Sequence, residues 1–401
     1  MEKGTTKQDE RDRFRQDVQE RIRGRIREAI EMVLDEELAE AVGSARYERS
    51  DQRRGYRNGA EFRKVTTEGG TRPVRVPRGR VEQDDGSTSE FRSEILPRYA
   101  RRTKVIDEAI LGTYLAGGNT RRIRTALQPL LGAAHLSKSA VSRVVGRLKA
   151  LFEAWASRDL SAERYAVLYL DAIHLKVRMA RRVVAVPVLA ALGVAEDGTK
   201  VLVSLGVAAS EAASQWGGVL VDLQRRGMGA PLLIIVDGNA GLRKALDAWP
   251  EVRVQRCTTH KLSNLKEHCP AHARAEMKRD YNRIIQAKDG LSARKAYEAF
   301  LSKWSALCPA VARSLEEAGD ELLTFFEFPK AMWRSIRTTN PLENVNREFR
   351  RRTKTQASFG TEAAAVTLLY GLVAFGQIRM HKIDGHRDIG ALVAKMNAQA
   401  A

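Results

Sequence analysis

At 401 residues and 43% hydrophobic content the chain is long enough for two or three domains with real cores, which excludes a disordered protein. Its 68 Lys and Arg against 49 Asp and Glu leave a formal charge of +19, spread along the whole length, so a polyanion is the expected partner. No run approaches the roughly 18 apolar residues of a membrane span, the first ten residues lack a secretory core, and the 3 irregularly spaced cysteines argue against a disulfide framework, so a cytoplasmic protein with reduced thiols is expected.

Over 11–42 the residues Phe14, Val18, Ile22, Ile26, Ile30, Val33 and Leu38 recur at helical steps, which predicts an amphipathic helix stopped by Gly43. Its apolar stripe needs a cover, either the rest of the chain or a second copy. Residues 44–79 mix Arg and Gly with β-favouring runs around a Glu68-Gly69-Gly70-Thr71 turn. They read as a basic hairpin whose arginines, Arg57, Arg72, Arg75, Arg78 and Arg80 among them, are placed to meet phosphate. The polar, acidic, Ser-rich stretch 81–90 reads as a linker.

Between 101 and 160 three helical patterns follow. The second carries Arg121, and the third follows a turn at 132–136 with Ser137 as its N-cap. A capped helix after a short Gly-containing turn is helix-turn-helix grammar, with Lys138, Ser139, Ser142 and Arg143 able to face a DNA groove.

From 166 the pattern turns to strands: 167–171, 183–194 and 200–207 predict a three-strand meander. A helix over 211–226, an apolar strand at 232–236, a helix over 241–249 and a strand at 252–255 come next. Three antiparallel strands followed by alternating helix and strand make a mixed α/β sheet, the order of ribonuclease H-like folds. Helices then dominate to 328. The expected organisation is an N-terminal helix and hairpin (1–80), a helix-turn-helix domain (91–160), a ribonuclease H-like catalytic domain (161–258 and 336–380) with an all-helical insertion (259–335), and a tail (381–401).

Within that sheet Asp171 and Asp237 each close an apolar strand, and Glu343 lies in Thr-Thr-Asn-Pro-Leu-Glu-Asn at the start of the last basic helix. Carboxylates on a rigid sheet edge can share hard cations. Two such ions activate an attacking oxygen and stabilise a leaving oxygen of a phosphodiester. A strongly basic chain has little reason to place acids beside a DNA path unless a metal, Mg²⁺ or Mn²⁺, neutralises both. Each acid also has a plain explanation: a strand-end cap for Asp171, a turn for Asp237-Gly238-Asn239, and a capping box with Asn340 at N-cap for Glu343. Arg347, Arg350 and Arg351 follow Glu343 on the same helix, placed to hold a cut strand. Cys257 and His260 form Cys-x-x-His, but the adjacent His268-Cys269 pair makes a poor second clamp, which disfavours zinc. His174 should point to the opposite sheet face from Asp171.

The stretches RNGAEFRKVTTEGG and VPRGR (57–80), LPRYARRTKVIDEAI (96–110), LSKSAVSRVV (136–145), LYLDAIHLKVR (168–178), IIVDGNAGLRKAL (234–246), QRCTTHKLSNL (255–265), FFEFP (325–329) and RTTNPLENVNREFRRRTK (337–354) cover nearly the whole chain. In these it resembles the Mutator-type transposases of bacterial insertion sequences. The resemblance implies an aspartate, aspartate, glutamate metal triad falling on Asp171, Asp237 and Glu343, with Cys257 and His260 as a nearby signature that is not a zinc site. It implies an enzyme of the bacterial nucleoid that binds the terminal inverted repeats of its own element as double-stranded DNA, frees a 3′-hydroxyl and joins it to target DNA. A homodimer is expected because two ends must meet. Asn239 departs from the family, which has an apolar residue there. Two rivals share the residues: a structure-specific nuclease of similar fold, which cuts without joining, and a helix-turn-helix regulator with an inert C-terminal domain.

Overall fold

Two sheets organise the chain, one in each of two units, Met1–Arg147 and Leu148–Ala401. The computed structural model describes residues 7–131, 136–179, 181–246, 249–354 and 359–400.

In the first unit, α1 (Lys7–Val42) lies on an antiparallel sheet of order β1-β2-β3: β1 (Gly55–Thr67), β2 (Gly70–Glu82) and β3 (Thr88–Glu90). The cover for the second half of the α1 stripe is this hairpin: Leu34 is buried with Val65, Val74, Val76 and Leu96. Each such aliphatic side chain contributes about 1.5–3 kcal/mol on burial. The approach at Gly79 is so close that a Cβ there would lie 2.6 Å from the Leu38 Cδ1 atom. The first half of the stripe stays open, with Phe14, Val18 and Ile22 exposed. The stretch read as a linker folds back instead, pairing Thr88–Glu90 with Arg80–Glu82 as the third strand.

The fold also divides the hairpin arginines. Arg75 pairs with Asp35 at 2.9 Å, Arg57 lies 3.8 Å from the same carboxylate, and Arg72 is hydrogen-bonded to Glu20. Arg72 and Arg75, both expected to meet phosphate, are thus paired with acids of α1 within the fold. Arg78 and Arg80 have no such partner among the described residues. Three helices follow, α2 (Lys104–Leu115), α3 (Thr120–Leu131) and α4 (Lys138–Ala156), closed around Ile106, Ile110, Ile123, Leu127, Val141 and Val144. Ser137 caps α4, its Oγ accepting the Ala140 N–H at 3.1 Å. The turn at 132–135 lies outside the described residues.

In the second unit the sheet order is β6-β5-β4-β7-β8. Strands β4 (Tyr165–Met179), β5 (Arg182–Ala195) and β6 (Lys200–Val207) form the antiparallel meander. Helix α5 (Ala213–Arg225) leads to β7 (Leu233–Val236), then α6 (Ala240–Ala245) and β8 (Arg253–Arg256). β7 and β8 run parallel to β4. One sheet face buries Leu168, Leu170, Leu189 and Ala191 with Trp216, Leu220 and Leu223 of α5.

Helices α7 (Thr258–His268), α8 (Arg274–Ile285), α9 (Gly290–Leu307) and α10 (Pro309–Ala318) have a core of their own, with Tyr281, Phe300 and Trp304 at its centre. This block docks on the sheet through Glu317, whose carboxylate takes Arg256 of β8 at 2.9 and 3.0 Å and, within the block, Lys261 of α7 at 2.7 Å. After α11 (Trp333–Ile336), α12 (Asn340–Thr353) and α13 (Glu362–Ala374) return to β4 and β6. The segment read as a tail carries α14 (Ile389–Ala400) and is tied down by Asp384, which accepts the Ser335 hydroxyl at 3.1 Å. Among the described residues no helix is long and apolar enough to cross a membrane.

Candidate active site

β7 stops at Val236 while β4 runs on to Met179, so β4 loses its parallel neighbour partway along. The last β4–β7 pair is Tyr169 with Ile235. Carrying that register on by two residues sets Asp171 beside Asp237 on one face. Asp171 is thus not the strand end that the sequence suggested. It stands in mid-strand, at the point where the sheet opens.

Asp171 accepts the Ala172 N–H on Oδ1 at 2.9 Å and the Asn346 amide on Oδ2 at 2.8 Å. Burial, and then the charge of Asp237, push its carboxyl up to about 6. Asp237 accepts the Asn239 N–H at 2.8 Å, an Asx turn, and Asn239 in turn caps α6 through Gly241 and Leu242. A polar residue at 239 is therefore explained by the cap it makes. Between them Gly238 sits at φ +96°, where a Cβ would meet the Arg256 guanidinium at 2.0 Å, so this turn requires glycine. On the other face His174 lies 3.4 Å from Glu211, whose second oxygen accepts the Asn239 amide at 3.2 Å.

Glu343 lies in the first turn of α12, but the N-cap residue is Thr339 and no capping box forms. Instead the Thr339 hydroxyl donates to Glu343 Oε1 at 2.6 Å. That same oxygen of Thr339 is 3.4 Å from Cys257 Sγ and 3.4 Å from His260 Nδ1. Cys257 follows β8 as the N-cap residue of α7, and His260 occupies the first turn of that helix. The hydrogen bond with Cys257 raises His260 to about 9. Burial pushes the thiol up, yet the hydrogen bond and charge of His260 outweigh it and bring it below its ordinary value. The ligand atoms of Cys257, His260 and Glu343 all lie within 4.8 Å of one another. The Thr339 hydroxyl already fills that space, so an ion there would have to displace it.

The structure thus brings Asp171, Asp237, Glu343, Cys257 and His260 to one place. Three carboxylates are an all-oxygen set suited to a hard cation, and the residue that donates to Asp171, Asn346, has its own Oδ1 buried without a hydrogen-bond donor. Of the arginines of α12, Arg347 donates to Asn344 and Arg351 to Glu348, both at 2.6 Å. Arg350 lines a cleft of about 360 Å³ with His174, Lys176 and Lys354. In the other unit Lys138, Ser139, Ser142 and Arg143 are exposed on the first turns of α4, while the side chain of Arg121 lies outside the described residues. Sequence reasoning missed Thr339, Asn346 and Arg256. Asn346 had a signal, since it stands three residues past Glu343 and shares its helix face.

The family described as Transposase, Mutator family, matches residues 1–377. The transposase for insertion sequence element ISRM5 of Rhizobium meliloti (strain 1021) is 33% identical over 344 residues, 86% of this chain and 84% of that protein. The transposase for IS1081 of Mycobacterium tuberculosis (strain ATCC 25618 / H37Rv) is 33% identical over 370 residues, 92% and 87% of the two chains. The one for IS406 of Burkholderia multivorans (strain ATCC 17616 / 249) is 34% identical over 354 residues, 86% and 89%. A Drosophila P element transposase strand transfer complex aligns with 79% of this chain at 11% identity and a TM-score of 0.30, too loose a likeness to bear on the fold. With the family matched over nearly its full length and relatives at this identity, the chain belongs to the Mutator family of transposases.

Proposed function

We propose that this transposase cuts and joins DNA at a ribonuclease H-like centre whose metal ligands are Asp171, Asp237 and Glu343. The observation that carries the reading is the meeting of these carboxylates from β4, β7 and α12 at the point where the sheet opens. The sheet order, with β7 and β8 parallel to β4 and the meander antiparallel to it, supports the ribonuclease H-like assignment. The separate helical core between β8 and α12 supports an insertion. The cap at Ser137 supports a helix-turn-helix in α2–α4 that recognises element ends.

Mg²⁺, or Mn²⁺ in its place, would supply Lewis-acid stabilisation of the attacking and leaving oxygens when bound. The chain's own share is to hold the carboxylates in register. Asp171 must be without its proton to act as a ligand, and its raised proton affinity is what a cation would offset. Arg350 and Lys354, beside Lys176, would hold the strand to be cut. Two element ends must be held together, so a homodimer forms on the DNA.

The direct test is to incubate the full chain with labelled element-end DNA and Mg²⁺ or Mn²⁺. Metal-dependent nicking plus a joined product is expected. Nicking without joining would favour the nuclease reading, and binding with neither would favour a regulator.

A second expectation concerns the hairpin. Arg78, Arg80 and Arg92 line a cleft of about 210 Å³ with Arg63 and Arg98, whose charges are met by Glu61 and Glu90. Each of Arg78→Ala, Arg80→Ala and Arg92→Ala should lower the log–log salt slope of DNA binding by about 0.9. Arg75→Ala should leave the slope alone and lower stability, since its charge is met by Asp35. Equal slopes for wild type and the Arg78, Arg80 and Arg92 variants would remove phosphate contact from this cleft.

A further inference from the structure

Helix α12 delivers more than Glu343. Asn346, three residues on and on the same face, is 1% exposed, and its amide donates to Asp171 Oδ2 at 2.8 Å across 175 residues of sequence. Its own Oδ1 is buried without a hydrogen-bond partner. The orientation follows from chemistry: an ionised carboxylate only accepts, so the NH₂ end must face Asp171 and the carbonyl oxygen must point away. Resting on the carboxylate reading above, we infer that Asn346 is a positioning residue that fixes Asp171 and Glu343 in register for the cation.

Three features support this. The bond fixes one oxygen of Asp171, whose other oxygen is held by the Ala172 N–H, so the carboxylate plane has no freedom to turn. The residue is neutral. An arginine in its place would neutralise Asp171 and compete with a cation, while an aspartate would add a further charge beside Asp171 and Asp237. An amide orients the carboxylate and leaves the positive charge to be supplied by the metal. The same bond also ties α12 to β4, so the distance from Glu343 to Asp171 depends on it. The orphan Oδ1 fits the picture, because a buried acceptor without a donor is costly and a water entering with the cation would supply one.

Residues that orient a ligand from behind typically govern metal affinity by 10–100-fold, and this sets the test. Mn²⁺ binding to the full chain without DNA is measured by calorimetry for wild type, Asn346→Leu, Asn346→Ala and Asp171→Asn, with thermal unfolding of each metal-free protein in parallel. Leu keeps the branched shape of Asn, though it is larger, and removes the donor, and Ala serves if Leu does not fold. The expected result is a loss of roughly 10–100-fold in Mn²⁺ affinity for either Asn346 variant while it still unfolds cooperatively. Wild-type affinity in a folded Asn346 variant, with binding abolished by Asp171→Asn, overturns the role of Asn346 alone. Wild-type affinity in Asp171→Asn as well overturns the carboxylate reading and this inference with it.

Discussion

Asp171→Asn, Asp237→Asn and Glu343→Gln should each abolish end nicking, by roughly 10³-fold or more, and leave end binding in place. A bound cation supplies several kcal/mol of charge stabilisation, and each ~1.4 kcal/mol lost costs tenfold in rate. Strand cleavage on a sequencing gel beside a mobility shift on the same DNA separates the two effects, and nicking at the wild-type rate in all three variants would end the triad reading. Asp171→Asn carries a further signature. Its carboxyl, raised to about 6 in the fold by burial and by Asp237, lies above the ordinary 3.8 of an unfolded chain. The ionised form is therefore disfavoured by folding, and stability falls as pH rises from 3.8 through 6. Replacing it with a neutral amide should stabilise the metal-free protein by about 1–3 kcal/mol above pH 6, a gain that vanishes below pH 4. On the triad reading, Asp171 thus costs stability that a bound cation would restore.

Glu317→Gln should destabilise the second unit by about 1–3 kcal/mol at neutral pH, because it takes the nearest counter-charge from two buried cations and leaves Arg256 with Glu321 at 3.7 Å and Lys261 with the Ser314 carbonyl at 2.8 Å. The Arg256 and Lys261 side chains are 1% and 2% exposed, whereas that of Glu317 is 47% exposed. Solvent screens the carboxylate itself, so the cost lies in the weakened pairing of the guanidinium and ammonium. Burial alone would push the Glu317 carboxyl up, but hydrogen bonds from Arg256 and Lys261 outweigh it and hold it at about 2. That is below the ordinary 4.5, so its contribution is complete above pH 4.5 and lost as pH falls through 2. Urea unfolding at pH 7 and pH 3 should show the gap between wild type and variant narrowing on acidification. A gap that does not change with pH would mean that packing, not charge, joins the helical block to the sheet. Since Arg256 lies against Gly238, the variant should also nick more slowly than its residual folded fraction allows.

The elements that carry strong local patterns were legible. Val, Ile and Leu runs marked β5, β6 and β7, and Pro341 after a polar stretch marked the start of α12. The alternation in Ile173-His174-Leu175-Lys176-Val177 was also present, buried and exposed in turn, and following it would have carried β4 past Asp171. The linker reading of 81–90 failed because β3 exposes all three of its side chains, which leaves no alternation to read. The cap of α12 was missed by one residue, from Asn340 to Thr339, a shift of the size at which helix boundaries are ambiguous. Which hairpin arginines are paired within the fold was not legible, because Arg75 and Arg78 differ only in whether Asp35 is near. Arg256 acts through Glu317, distant in sequence, and Thr339 joins the nearby Glu343 to the distant Cys257 and His260, so local pattern alone does not announce either.

The hydrogen bond from Asn346 to Asp171 has a consequence in time. A chain emerges from the ribosome N-terminus first, so the hairpin, the whole sheet, both aspartates and the Cys257–His260 pair exist before α12 is made. On the triad reading, a polypeptide still being translated, or one released before residue 340, can occupy DNA without being able to cut it. On that reading cleavage would be the last property the molecule acquires, and truncated products would compete with the complete enzyme for the same ends.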